Sequence, residues 1–164
     1  MKLKCPVLLS FLLIICTALS TAAITNEKDL IGYRHKGVKF GEILPNGAKD
    51  LGGGLLFDED YGVSRFSKGK KLMLWLEKIV ELNEDGVPNW EVKDVLIFNK
   101  LKKNQEFLFS YSSPCQQNGT ENFDLVVLAK HSAASKNYRV LKAWLANVET
   151  EKFEQISIKG IVCL

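Results

Sequence analysis

The side chains in this 164-residue sequence that admit chemistry are few: two histidines, four cysteines, one run of three glycines, one acidic triplet and three tryptophans. His35 and His131 stand far apart, so neither HxH nor HxxxH spacing exists, and a zinc site would have to draw most of its ligands from carboxylates or thiols. Both read as surface or strand-end histidines. Gly62-Val63-Ser64-Arg65 lacks the closing glycine of a nucleophile elbow, and the adjacency of His131 and Ser132 says nothing about a triad, which is assembled in space. Gly52-Gly53-Gly54 has neither the GxGxxG pattern nor a P-loop lysine, and reads as a flexible turn between strands. Asp58, Glu59 and Asp60 suggest calcium. Counted from Asp58, however, positions six and twelve are Val63 and Gly69 where an EF-hand loop needs Gly and Glu, which leaves a solvated acidic turn. Trp75, Trp90 and Trp144 are a candidate binding surface, a stacking platform for a sugar or a partner protein, against the plainer reading that large aromatics fill cores. No catalytic, cofactor-binding or metal-ligating set emerges from spacing alone.

The chain opens with Lys2 and Lys4 ahead of an uncharged run from Val7 to Leu19, followed by Ser20-Thr21-Ala22-Ala23. That is the layout of a secretory signal peptide, with cleavage expected after Ala23. The exported domain is then residues 24–164, and Cys5 and Cys16 leave with the leader. Cys115 and Cys163 remain, and an even pair in an oxidising compartment reads as a disulfide. The leader also removes two lysines, so 22 basic residues become 20 against 19 acidic ones. A net charge near +1 provides no global field for nucleic acid or an anionic membrane, and no stable membrane insertion is expected after cleavage. Two local basic clusters, Lys68/Lys70/Lys71 and Lys100/Lys102/Lys103, read as separate solvated loops. Asn118-Gly119-Thr120 is a glycosylation sequon only in a eukaryotic secretory pathway.

The elements that must position these residues are strands. Over 71–98, Leu72, Leu74, Leu76, Val80 and Leu82 share one parity while Trp75, Glu77 and Glu81 fall on the other; Asn83-Glu84-Asp85-Gly86 turns the chain, and Trp90 to Phe98 is rich in β-formers. This spacing predicts a hairpin. Glu106–Ser112 and Phe123–Ala129 read as further strands, with loops at 50–54, 113–120 and 131–136. The stretch 142–156 admits either a helix running into a strand or a hairpin; the alternation of 153–160 and the need of one strand for a neighbour favour the hairpin. The expected fold is mainly β, an antiparallel sheet closed as a small barrel or folded as a sandwich, with α+β as the alternative if one short helix is present.

The segments 74–98, with Trp90-Glu91-Val92-Lys93-Asp94-Val95, and 142–163, with Ala143-Trp144, Ala146-Asn147, Phe153-Glu154 and Cys163, resemble a group of small exported bacterial β-rich proteins. The resemblance covers about half of the exported part. It implies a bacterial, exported protein and supplies no activity. Export, one expected crosslink and the missing catalytic constellation lead to the expectation of a non-enzymatic periplasmic or secreted binding or inhibitor-like module, with an envelope or extracellular protein as partner. The alternatives are a carboxylate-dependent hydrolase of envelope material and a small-molecule carrier with its ligand inside a barrel.

Overall fold

A computed structural model describes residues 29–99, 101–109, 115–131 and 138–163. The expected leader and its cleavage point, and most of the loop expected at 131–136, lie outside the described residues. Twelve strands occur among those residues, in three antiparallel sheets. The first has the order β1 (Arg34–Lys36), β5 (Pro88–Asn99), β4 (Lys71–Leu82), β3 (Tyr61–Lys68), β2 (Lys49–Leu55). The second runs β11 (Lys152–Ile156), β10 (Tyr138–Asn147), β9 (Leu125–His131), β6 (Gln105–Phe109). The third is small: β12 (Ile161–Cys163), β7 (Cys115–Gln117), β8 (Thr120–Glu121). The fold is mainly β, a curled half-barrel sheet packed against further sheets, and no helix is among its described elements.

Both predicted hairpins form. Leu82 pairs with Pro88 across the Asn83–Val87 turn, where Asn83 Oδ1 accepts the Val87 and Asp85 N–H groups. Asn147 pairs with Lys152, so the ambiguous stretch is strand, turn, strand. Its Asn147 side chain accepts the Glu149 N–H, which fixes the turn locally.

Three layers of apolar side chains hold the sheets together. Val63, Leu74 and Leu76 of the first sheet meet Phe107, Val126, Trp144 and Phe153 of the second. The second sheet turns Leu108, Leu125, Val127 and Ala143 the other way, onto Ile161 and the Cys115–Cys163 pair. On its remaining face the first sheet curls around Phe66, Met73, Trp75, Val92 and Val95, and Leu30, Leu44 and Ala48 close over them. Strands buried on both faces need apolar residues at both parities, which is why Leu72–Leu76 and Leu125–Ala129 read as continuous runs. The disulfide joins β7 to β12 at a directly paired position.

Three expectations are corrected. The glycine run at 50–54 is part of β2, not a loop: it pairs with β3 across a bulge between Asp50 and Gly53. A Cβ on Gly53 would come within 2.6 Å of the Val63 carbonyl, so absence of a side chain is what allows the strands to approach. The loop expected at 113–120 contains two short strands, because pairing with β12 and β8 satisfies backbone that Cys115 anchors. The tryptophans share no surface. Trp75 is fully buried against Phe66, with ring centroids 4.0 Å apart, and Trp144 is buried with Phe98 and Phe107. Trp90 alone remains half-buried, at the edge of a cavity.

Candidate functional site

Alternation along each strand brings polar residues to one face of the curled sheet. On β4 that face carries Met73, Trp75 and Glu77; their partners on β3 are Phe66, Ser64 and Gly62. On β5 it carries Val95 and, past a bulge, Val92 and Trp90; Trp90 pairs with His35 of β1. Asp50 enters from β2 opposite Phe66. The polar members meet in the half-barrel's interior, where water is scarce.

His35 and Glu77 form the centre. The imidazole Nε2 lies 2.7 Å from Glu77 Oε1, with side-chain exposures of only 4% and 1%. Nδ1 lies 3.0 Å from the Lys36 carbonyl oxygen. A carbonyl only accepts, so Nδ1 carries a hydrogen and donates it. Nε2 and the carboxylate then need a second hydrogen between them, and the pair holds one proton more than a neutral histidine beside an ionised glutamate. Burial alone would lower the His35 pKa, but the hydrogen bond and charge of Glu77, helped by the Lys36 carbonyl, outweigh it and raise the pKa above the ordinary histidine value. Aromatic packing fixes the ring's orientation: Tyr33 stacks on it with centroids 5.9 Å apart, and Phe66 and Trp75 lie edge-to-face with it at 5.9 and 5.7 Å.

Asp50 is the second carboxyl of this interior. Its Oδ1 accepts the Gly52 N–H at 2.8 Å across the bulge. Burial raises its pKa; the Gly52 and Leu51 N–H groups and the charges of Arg65 and His35 act against that rise. Arg65 donates instead to the Leu51 carbonyl at 2.9 Å, so no cation is hydrogen-bonded to Asp50 among the described residues.

Above these groups opens a cavity of about 220 Å³, with His35, Asp50, Ser64, Phe66 and Trp90 in its walls and glycine backbone filling the gaps. A second groove of about 360 Å³, between β1 and the segment Val38–Pro45, meets the first at His35 and Val38. Around the mouths Phe40 and Ile43 are 79% and 64% exposed, and Leu55 is exposed as well.

The chemistry available is narrow. Both His35 nitrogens are engaged, so the ring has no lone pair to serve as a general base, and it cannot activate Ser64. Among the described residues no three His, Cys, Asp or Glu side chains gather in a metal-holding arrangement. Asp50 and the His35–Glu77 pair share this interior, and the charge of Arg65 also acts on Asp50. What the cavity wall offers chemically is hydrogen-bond acceptance by the Asp50 carboxyl.

No family model, no curated protein and no solved structure matches the chain.

Of the residues singled out by type, His35 and Trp90 come together here, whereas His131 lies on β9 beside Tyr138. Spacing missed Glu77 and Asp50. Glu77 did leave a trace: it is the one acid between Trp75 and Ile79 in a strand whose two faces are both apolar, and a charge in such a run signals a buried partner.

Proposed function

We propose that this protein is a non-enzymatic exported binding domain, periplasmic or secreted, whose recognition site is the mouth of the curled sheet. It seats a positively charged N–H group, the side chain of a lysine or arginine on an envelope or extracellular protein. The observation that carries this reading is Asp50, a buried carboxyl in a cavity wall with no cation hydrogen-bonded to it among the described residues. The exposed Phe40, Ile43 and Leu55 supply an apolar rim that excludes water around a central polar contact. The Cys115–Cys163 bond fits an oxidising compartment, and among the described residues no helix is long and apolar enough to cross a membrane.

Two other readings have less support. A carboxylate hydrolase needs two acids facing one cleft, yet Glu77 is committed to His35 and Asp50 stands alone in the wall. A carrier with its ligand inside a barrel needs an enclosed chamber, whereas the cavity of about 220 Å³ and the groove of about 360 Å³ that meets it are both open to solvent.

The test is a titration of isotope-labelled protein with butylguanidinium and butylammonium, with butanol as the neutral control, read by amide chemical shifts. The expected result is saturable shifts at Gly53, Gly54 and Ser64 and at the Trp90 indole for the cations only, lost in Asp50→Asn. Equal response to butanol, or an unchanged response in Asp50→Asn, would overturn the assignment.

A further inference from the structure

A second site lies at the opposite end of the first sheet. Lys68 pairs with Lys71 across the Gly69-Lys70 turn, and Lys71 pairs with Asn99 at the exit of β5. The two basic clusters, separate in sequence, therefore meet. A groove of about 820 Å³ runs between them, lined by Lys70, Lys71 and Lys102 with Ser67, Gln105, Leu72 and Leu101. Among the described residues no carboxylate lines it. Lys68 donates to the Asn46 carbonyl at 2.7 Å; Lys70, Lys71, Lys102 and Lys103 are exposed and have no ion pair among the described residues. Elsewhere on this sheet Arg34 and Lys93 share Glu91, and Lys93 and Lys78 share Glu151. Unpaired like charges placed side by side repel, and a polyanion that displaces their counterions relieves that repulsion.

We propose that this groove binds a linear anionic polysaccharide. The lining selects among polyanions. Among the described residues no aromatic ring lines the groove, so they provide no stacking platform of the kind on which single-stranded nucleic acids depend. Leu72 and Leu101 pack down onto the core shared by the two large sheets and do not project as a membrane wedge would. A sugar chain uses all three features: its C–H faces lie on Leu72 and Leu101, its hydroxyls reach Ser67 and Gln105, and its sulfate, phosphate or carboxylate groups meet the lysines. The site is independent of the cavity, because Lys71 lies six residues along β4 from Glu77, about 20 Å at strand rise.

The experiment is calorimetric titration of the mature protein with a heparin octasaccharide at 50 and 200 mM NaCl. Lys70→Glu/Lys71→Glu/Lys102→Glu is compared with Lys142→Glu/Lys152→Glu/Lys159→Glu, which changes net charge equally at exposed positions elsewhere. Thermal melts establish that both variants fold. The expected result is binding by the wild-type protein that weakens at least tenfold between the two salt concentrations and at least tenfold in the first variant only. Overturning results are equal weakening in both variants, which would mean net charge alone, or no binding at 50 mM NaCl. Tighter binding of a charge-matched single-stranded oligonucleotide or of phosphatidylglycerol vesicles would also overturn it. Loss of the Asp50 site's cation response leaves this outcome untouched.

Discussion

The two faces of the five-stranded sheet are built from alternate residues of the same strands, and they differ in kind. The face turned to the second sheet carries Val63, Leu74 and Leu76, all fully buried among apolar neighbours. The curled face carries Glu77, His35, Asp50 and Ser64 among aromatics. One face contributes non-directional burial, about 1.5–3 kcal/mol for each large apolar side chain. The other holds groups whose desolvation costs nearly as much as their pairing returns, a common balance for buried ion pairs. Polar residues kept there add little stability, and this is why that face is the place to look for recognition.

The contrast is broken most severely at Glu77. Glu77→Ala leaves the His35 imidazolium buried without its counterion, and we expect a loss of about 4 kcal/mol in unfolding free energy by denaturant titration. Glu77→Gln keeps an acceptor for Nε2 and is expected to lose less. On the other face Leu76→Ala should cost about 3 kcal/mol, a transfer and cavity effect that is the same at pH 5 and pH 8. The pH dependence of the polar face is the smallest effect and the most telling. The folded His35 pKa lies above its unfolded value of about 6.5, so the native state binds more protons between those two values. His35 therefore contributes full stability below about pH 6.5 and loses it as pH rises through the folded value. Asp50, also raised, has the same sign in a lower window that begins near pH 3.8. Stability measured from pH 6 to 9 should fall in the wild-type protein by about 1.4 kcal/mol for each unit of His35 displacement, and His35→Gln should flatten that part of the curve.

The strands were legible where one signal dominated. The 71–98 hairpin announced itself because a polar turn with Gly86 separates two β-rich runs, and the 142–156 hairpin because the second run alternates. What remained hidden was long-range. Reading Trp75 and Glu77 as the outer parity of β4 was correct about alternation, but letters do not say that the outer face is covered too, by Leu30, Leu44 and Ala48 from segments outside β4. The β2 strand was obscured by its own glycines, which disfavour a strand in isolation and are needed only because β3 comes so close. Lys71 and Lys102 were read as parts of separate loops for the same reason: register decides their meeting, and register is not local.

Gly62 lies beneath Trp90, and a Cβ placed on it would come within 3.2 Å of the indole ring and 3.1 Å of the Gly54 carbonyl. Gly53 and Gly62 thus let β2, β3 and the Trp90 ring close together beside His35 and Asp50, where side chains would hold them apart. A methyl at Gly53 would meet the Val63 carbonyl and the Ser64 Cα, backbone that cannot swing aside, so even alanine there would push two strands apart and reshape the wall of the site.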